Sequence, residues 1–395
     1  MRILHINKFL YPFGGAETYM FELAKAQDSI GHEIAYWGMS DDKNIVEDTY
    51  NSFAPNVNYH IPKSGNKFKQ VLETIYSNTN KKRLGILLDK FNPTIVHIHN
   101  FNFQLTPSIL RAIKQRGVKI VYTAHDSQLV CPWHRLYNFQ TNSQCTKCVN
   151  GSFLNCIKDK CFDGSFSKSS VGAMESIFYH SKNYYDKKID LIISPSKFLA
   201  SLIRKKIKAP ITTIPNFVDW ELKDSYEKKQ PYILYFGRVS PEKGIIDTLQ
   251  SIINHKIHLK IVGNGPDVEN IPNSPFIKYL GVKYDDELKN IISKAKFVIL
   301  PSKWYENCPM TVIESFACGT PVISSNHSGF KELINNGSNG YLVNFSKPES
   351  YKSISEWINN YDVELSVRAK KDYIRLYSKK NHVDKVMENY NNLLK

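Results

Sequence analysis

Two carboxylates in this chain stand eight residues apart around a helix-start signal. Glu306 and Glu314 stand on either side of a proline in PSKWYENCPMTVIESFACGTPVISS (301–325). Proline is tolerated at the first helical position, where its missing N–H costs nothing, so Pro309 reads as the first residue of a helix. The helix runs to about Cys318, and Gly319 is its natural stop. Glu306 then lies in the loop entering the helix and Glu314 inside it. The N–H groups of Met310 and Thr311 have no acceptor within the helix and sit at its positive end, which suits a phosphate. An ionised carboxylate only accepts, so one on each side suits the hydroxyls of a sugar and a ribose. By spacing alone, both acids are equally well read as surface or capping residues.

A second segment, YFGRVSPEKGI (235–245), ends a strand at Gly237-Arg238 and opens a helix at Lys243-Gly244. An arginine fork and a lysine point charge there suit a diphosphate. Taken without context, the pair reads as solvated. A third is Gly14-Gly15-Ala16-Glu17, after the first strand, where adjacent glycines let backbone approach a ligand. Neither this loop nor Gly263-Asn264-Gly265-Pro266 meets the G-x-G-x-x-G dinucleotide fingerprint, which argues against a dehydrogenase.

The cysteines pose a separate question. Cys131, Cys145, Cys148, Cys156 and Cys161 cluster between residues 131 and 161. In a reducing compartment such clustering favours a metal over disulfides. Cys145, Cys148, Cys156 and Cys161 would close a structural zinc site, with Cys131 as a fifth candidate. An iron–sulfur cluster and unliganded thiols stay open. Cys308 and Cys318 read as packing residues.

These residues need elements to hold them. Short apolar runs alternate with helical stretches: RILHIN (2–7), HEIAYWG (32–38), TIVHIH (94–99), VKIVYTAH (118–125) and DLIISPS (190–196). The pattern restarts after the polar ELKDSYEKKQ (221–230), with PYILYFGR (231–238), HLKIVGNG (258–265), FIKYLG (276–281), KFVILPS (296–302) and PVISS (321–325). Strands alternating with helices predict α/β domains with parallel sheets. At 395 residues, two domains are expected: an N-terminal Rossmann-like domain over 1–195, carrying a Cys-rich insertion over 131–161; a linker and C-terminal Rossmann-like domain over 196–375; and a C-terminal helix over 376–395 crossing back. The first helix reads as Tyr19–Ser29, stopped by Gly31. His97 and His99 occupy alternating strand positions, and only one is expected to face a cleft.

No apolar run reaches the roughly 20 residues of a membrane-spanning helix, and no signal peptide is read at the N-terminus. The expected location is therefore cytoplasmic. The formal charge of +15 divides as about +7 on residues 1–190 and about +8 on the rest. It falls in no recognisable nucleic-acid module. A solvated surface with a phosphate-binding cleft explains it, with peripheral attachment to anionic lipid as the alternative.

Taken together and in order, GGAE (14–17), IVHIHN (95–100), TAHD (123–126), IPNFVD (214–219), GRVSPEKG (237–244), IVGNGP (261–266), LG (280–281), PS…E…E…CGTPVIS, Gly329, Glu332 and GSNGYLV (337–343) resemble the family 4 glycosyltransferases. IPNFVD departs by carrying Phe217 where glycine is usual. The resemblance implies the GT-B fold, two Rossmann-like domains facing each other across an interdomain cleft. It implies retaining transfer from a nucleotide diphosphate sugar to a carbohydrate or lipid-linked acceptor, with no divalent metal required for transfer. It further implies that Arg238 and Lys243 neutralise the diphosphate and Glu314 binds ribose. Glu306 touches the sugar, Gly15 offers backbone to the phosphates, and His125 sits beside the sugar ring. Surface-polysaccharide or lipopolysaccharide assembly in bacteria is the implied context. The rivals are a nucleotide-sugar epimerase or hydrolase on the same fold, and a binding protein that has lost catalysis.

Overall fold

The computed structural model describes residues 1–57, 72–220 and 229–395. Most of the polar stretch at 221–230 lies outside the described residues. The chain divides into two units: 1–136 with 145–214 and 383–395, and 137–144 with 215–382.

The first unit is built on six parallel strands, β1 (Arg2–Ile6), β2 (Glu33–Trp37), β3 (Ile95–Ile98), β4 (Lys119–Thr123), β5 (Leu191–Ser194) and β6 (Ile211–Thr213), in the order β2-β1-β3-β4-β5-β6. The inner strands are apolar runs rather than alternations, as in a sheet covered on both faces; all four residues of β3 are buried. The unit extends past residue 195 because β6 pairs with β5 and completes the sheet. Helix α1 covers Gly15–Ser29, four residues more than the periodicity indicated, with Gly14 as an extended N-cap. Gly31 follows it at φ +85°. Helices α2 (Asn78–Phe91), α3 (Ile109–Lys114) and α4 (Phe166–Ser181) belong to the same unit.

The second unit repeats the plan with β7 (Gln230–Phe236), β8 (Leu259–Val262), β9 (Ile277–Tyr279), β10 (Ala295–Leu300), β11 (Val322–Ser325) and β12 (Gly340–Val343). These strands are parallel in the order β9-β8-β7-β10-β11-β12. The order reverses between β7 and β10, and ligands of such sheets bind outside the carboxyl ends at that point. Helices α5 (Ile245–Asn254) and α6 (Met310–Ala317) follow β7 and β10. Phe217 is buried and stacks on His382, with ring centroids 4.5 Å apart.

Glycines decide how closely the loops beyond this sheet approach. A Cβ on Gly263 would lie 1.9 Å from the Gly237 carbonyl oxygen, and one on Gly265 2.0 Å from that of Val239. The N–H of Val239 donates to the Asn264 carbonyl at 2.9 Å. IVGNGP is therefore a device for laying the loop after β8 against the loop after β7. The final helical stretch is interrupted: a helix over Val363–Asp372, a π-helical turn over Tyr373–Tyr377 and an extended Ser378 precede α7 (Lys379–Leu394).

Candidate functional site

In the second unit, the loops after β7 and β10 interlock. The Glu242 carbonyl accepts the Lys303 N–H at 2.9 Å, and Gly244, at φ +71°, would place a Cβ 2.3 Å from the Pro301 carbonyl oxygen. This close approach brings Lys243 onto Glu306, with Nζ to Oε1 at 2.7 Å. Ser302 Oγ and the Trp304 indole N–H donate to the same Oε1 at 2.9 and 2.8 Å. The Lys243 ammonium also lies 4.8 Å from the Trp304 ring centroid, within cation–π range. Glu306 is buried. Burial alone would raise its pKa, but the Lys243 charge and the three hydrogen bonds outweigh it and hold the carboxyl below its ordinary value.

The backbone of Glu306 is fixed as firmly as its side chain. Its N–H donates to Ser328 Oγ at 3.0 Å, and its carbonyl accepts the Gly329 N–H at 2.9 Å. A Cβ on Gly329 would fall 1.6 Å from the Asn307 carbonyl oxygen, so only glycine fits. His327 braces the turn through Ser328 Oγ at 3.0 Å and the Ser302 carbonyl at 2.9 Å.

Pro309 is the N-cap of α6, not its first helical residue, with φ −65° and ψ 122°. Its ring fixes φ, but ψ is extended because the chain still has to turn out of the loop. The Asn216 amide donates to the Cys308 carbonyl at 2.9 Å and braces the turn that precedes this helix. The N–H groups of Met310 and Thr311 open α6, and Glu314 lies within it, half-buried. Burial pushes the Glu314 carboxyl up to about 7. Arg238 is exposed just beyond β7. Cys308 is buried in the core and Cys318 packs against it.

A cavity of about 800 Å³ opens nearby, lined by Gly244, Ser302, Lys303, Ser325, Asn344 and Gln144 among others. It borders the Lys243–Glu306 loops but includes neither residue, nor Arg238 or Glu314.

In the first unit, Gly15 is exposed at the start of α1. The buried Glu17 accepts from Asn7 Nδ2 at 2.9 Å, and Asn7 Oδ1 accepts the Asn100 N–H at 2.9 Å. The acid of GGAE thus ties the loop after β1 to the loop after β3. His125 is half-buried after β4, its ring edge-on to Tyr19 with centroids 4.9 Å apart. His97 and His99 do not diverge. Residues two apart share a face of a strand, and the two rings stack at 4.5 Å.

The five clustered cysteines all lie in the first unit and are unpaired. Cys148 and Cys156 are buried with Phe153 and Ala173, and Cys161 packs against them. Burial pushes the Cys131 thiol up to about 11. Burial, reinforced by Cys131, Cys161 and Cys145, pushes Cys148 up to about 12. Among the described residues, the group of three ligand atoms mutually within 4.8 Å is His5, His97 and His99 rather than a set of cysteines.

Motif spacing brought forward Arg238, Lys243, Glu306, Met310, Thr311 and Glu314, and all six belong to the second unit. It missed Ser302, Trp304, His327 and Ser328. They flank the chosen residues in sequence, but no spacing rule marks a residue whose task is to hold another. It also missed that Lys243 and Glu306 form one pair.

Residues 13–222 match the family described as Glycosyltransferase Family 4, and residues 218–373 match Glycosyl transferases group 1. An uncharacterized glycosyltransferase of Methanocaldococcus jannaschii is 29% identical over 185 residues, covering 45% of this chain and 52% of the relative. The lipopolysaccharide 1,2-N-acetylglucosaminetransferase of Salmonella typhimurium is 27% identical over 199 residues, covering 42% and 52%. The matches thus span about half the length of either relative. Among solved structures, Anabaena HepE in complex with UDP superposes with a TM-score of 0.66 at 16% identity, covering 99% of this chain and all of that one. The fold is GT-B.

The raised Glu314 carboxyl has a measurable consequence. Its native pKa lies above its unfolded value, so the native state binds the proton more tightly. Stability is therefore lost as pH rises from about 4.5 to about 7. Glu314→Gln has no charge to desolvate. Its melting temperature should exceed the parent's by a few degrees at about pH 8, and the gap should close by about pH 4. A gap of constant size across that range, measured by scanning fluorimetry, would rule out this account.

Proposed function

The chain belongs to the family 4 glycosyltransferases, and from that premise we propose that it is a retaining enzyme. It moves a sugar from a nucleotide diphosphate sugar to a carbohydrate or lipid-linked acceptor in bacterial surface-polysaccharide or lipopolysaccharide assembly. The observation that carries the donor class is the convergence of cations and helix amides on the carboxyl ends of β7 and β10. Arg238 follows β7, Lys243 ends the short turn that leads into α5, and the Met310 and Thr311 N–H groups begin α6. The naming of a lipopolysaccharide transferase and of a UDP-bound neighbour among similar proteins supports the same class.

The chemistry follows from where charge develops. As the bond from the anomeric carbon to the phosphate oxygen breaks, negative charge grows on the departing diphosphate. Arg238, Lys243 and the α6 amides stabilise it there. The acceptor hydroxyl oxygen bonds the anomeric carbon on the same face, and its proton passes to a phosphate oxygen. Glu306 is held by Lys243, Ser302 and Trp304 through Oε1, which leaves Oε2 to accept a sugar hydroxyl. Glu314 takes ribose hydroxyls. In the first unit, His125 meets a sugar hydroxyl and Gly15 a phosphate oxygen. The anomeric configuration of the donor should survive in the product, read by NMR coupling constants. Lys243→Ala should abolish transfer and weaken donor binding in a chain that still folds, with a lowered melting temperature because Glu306 is left buried without its cation. An inverted product, or a Lys243→Ala enzyme as fast as the parent, would sink this reading.

A structural zinc is proposed for Cys145, Cys148, Cys156 and Cys161, with Cys131 as substitute. The supporting observation is five thiols in one unit, with Cys148, Cys156 and Cys161 packed in one cluster. Thiolates drawn together there would pin residues 131–161. Elemental analysis of chelator-free protein should give about one zinc per chain. A stoichiometry near zero with all seven thiols reactive overturns it.

Among the described residues, no helix is long and apolar enough to cross a membrane. We place the enzyme on the inner face of the cytoplasmic membrane, attached peripherally. Helix α4 supports this: Phe166, Met174 and Ile177 are exposed on it. Lys168 is exposed and the Lys182 ammonium sits 4.1 Å from the Phe178 ring centroid. Exposed apolar side chains with lysines along the same helix and at its C-cap suit an anionic interface. The protein should float with anionic vesicles and not with neutral ones, and Met174→Glu with Ile177→Glu should release it. Binding unchanged in that double variant would remove α4 from the proposal.

A further inference from the structure

Beneath His125 the first unit contains a continuous chain of side chains, every link of which is within hydrogen-bond distance. His125 Nε2 meets His99 Nδ1 at 3.0 Å. His99 Nε2 meets His5 Nδ1 at 3.1 Å. His5 Nε2 meets Gln27 Oε1 at 2.8 Å. His5, His99 and Gln27 are fully buried. Burial lowers the His5 pKa to about 4, and burial with the neighbouring imidazoles lowers that of His99 well below its usual value. Both rings are therefore neutral at pH 7, each with one N–H and one bare nitrogen.

A row of neutral imidazoles can run in either of two proton orders, and its end decides which. Gln27 supplies the end. Its Oε1 only accepts, so His5 carries its proton on Nε2 and offers Nδ1 as acceptor. His99 must then donate from Nε2 and accept at Nδ1. His125 must donate from Nε2 in turn. Reversing the order requires the Gln27 amide to rotate. Its Nε2 now faces the Met387 sulfur at 3.7 Å and the Tyr390 hydroxyl oxygen at 3.4 Å. A thioether has no proton to give, so an amide oxygen turned to Met387 would meet a second acceptor. Tyr390 in turn spends its proton on His97 Nδ1 at 2.5 Å, and His97 donates from Nε2 to Thr123 Oγ1 at 2.7 Å. All six nitrogens of His5, His97 and His99 are engaged this way. The trio that could otherwise gather around an ion is satisfied without one.

We propose that Gln27 is a positioning residue that acts through His5 and His99 to fix His125 with its proton on Nε2, so that His125 meets its ligand through Nδ1. Met387 and Tyr390, on the last helix, hold Gln27 in the orientation that sets this order. The ligand half of the proposal rests on the reading that His125 meets a sugar hydroxyl. His125, with its proton on Nε2, then accepts a hydrogen bond from that hydroxyl. The opposite tautomer would present an N–H and donate to that hydroxyl's oxygen instead.

The test is long-range proton–nitrogen NMR on protein labelled with 15N-histidine, with His99→Gln and His125→Gln spectra assigning the rings. His5, His99 and His125 should all show the Nε2-protonated pattern. In Gln27→Met, which fills the space but offers no carbonyl, His125 should pass to a mixture of tautomers. Its kcat/KM for the donor should fall about fivefold, the worth of one neutral hydrogen bond. Gln27→Glu restores an acceptor oxygen and should restore the parent pattern. A parent His125 protonated on Nδ1, or a tautomer indifferent to Gln27→Met, overturns the relay. The parent spectrum alone decides the first point if Gln27→Met does not fold. Adding nucleotide sugar should move the His125 Nδ1 signal. An unmoved signal with the tautomer pattern intact overturns the ligand half and leaves the relay standing.

Discussion

A carboxylate taken out of water keeps its charge only if positive charge and hydrogen-bond donors replace the water. Glu306 meets that condition with Lys243, Ser302 and Trp304 on one oxygen and two backbone bonds behind it. Much of the second unit's local construction can be traced to this requirement. Lys243 reaches Glu306 because Gly244 lets the loop after β7 lie on the loop after β10. Glu306 stays in place because Gly329 admits the Asn307 carbonyl, and because His327 and Ser328 brace the turn. Remove one element and a charge is left buried without its partner, which costs far more than the pair gains.

The pair also shapes what Lys243 can do. A free lysine is a flexible point charge with considerable rotamer entropy. Held by Glu306 and set over Trp304, its ammonium has already given up that freedom before any ligand arrives. Preorganised charge is what electrostatic catalysis requires, since no reorganisation is then needed as charge develops. Arg238, exposed beyond β7, is the complementary case: a cation left to adapt.

The division between what the sequence disclosed and what it hid follows from the range of the interactions. Strand runs such as IVHI and KFVIL carry their burial in their composition, so both parallel sheets were legible. The loop-to-helix placement of Glu306 and Glu314 was legible because proline and glycine punctuate helices locally. The cap was misplaced by one residue because ψ at Pro309 is set by the turn out of the preceding loop, not by its own ring. The first unit runs to Ile214 because a strand partner is chosen in space, and no local signal announces it. The stacking of His97 on His99 follows from the period of two alone, and that rule should have put both on one face.

The two units solve the same problem with different means. In the second, the buried polar group is ionised and a lysine neutralises it. In the first, the buried groups are imidazoles, kept uncharged by burial and satisfied by one another. A neutral chain costs less to bury than an ion, but it needs something at its end to choose a direction. That choice falls to a glutamine on α1, held by residues on α7 that are 360 or more positions away in sequence. Polar order near His125 therefore depends on the last helix being in place, a dependence that no local motif expresses.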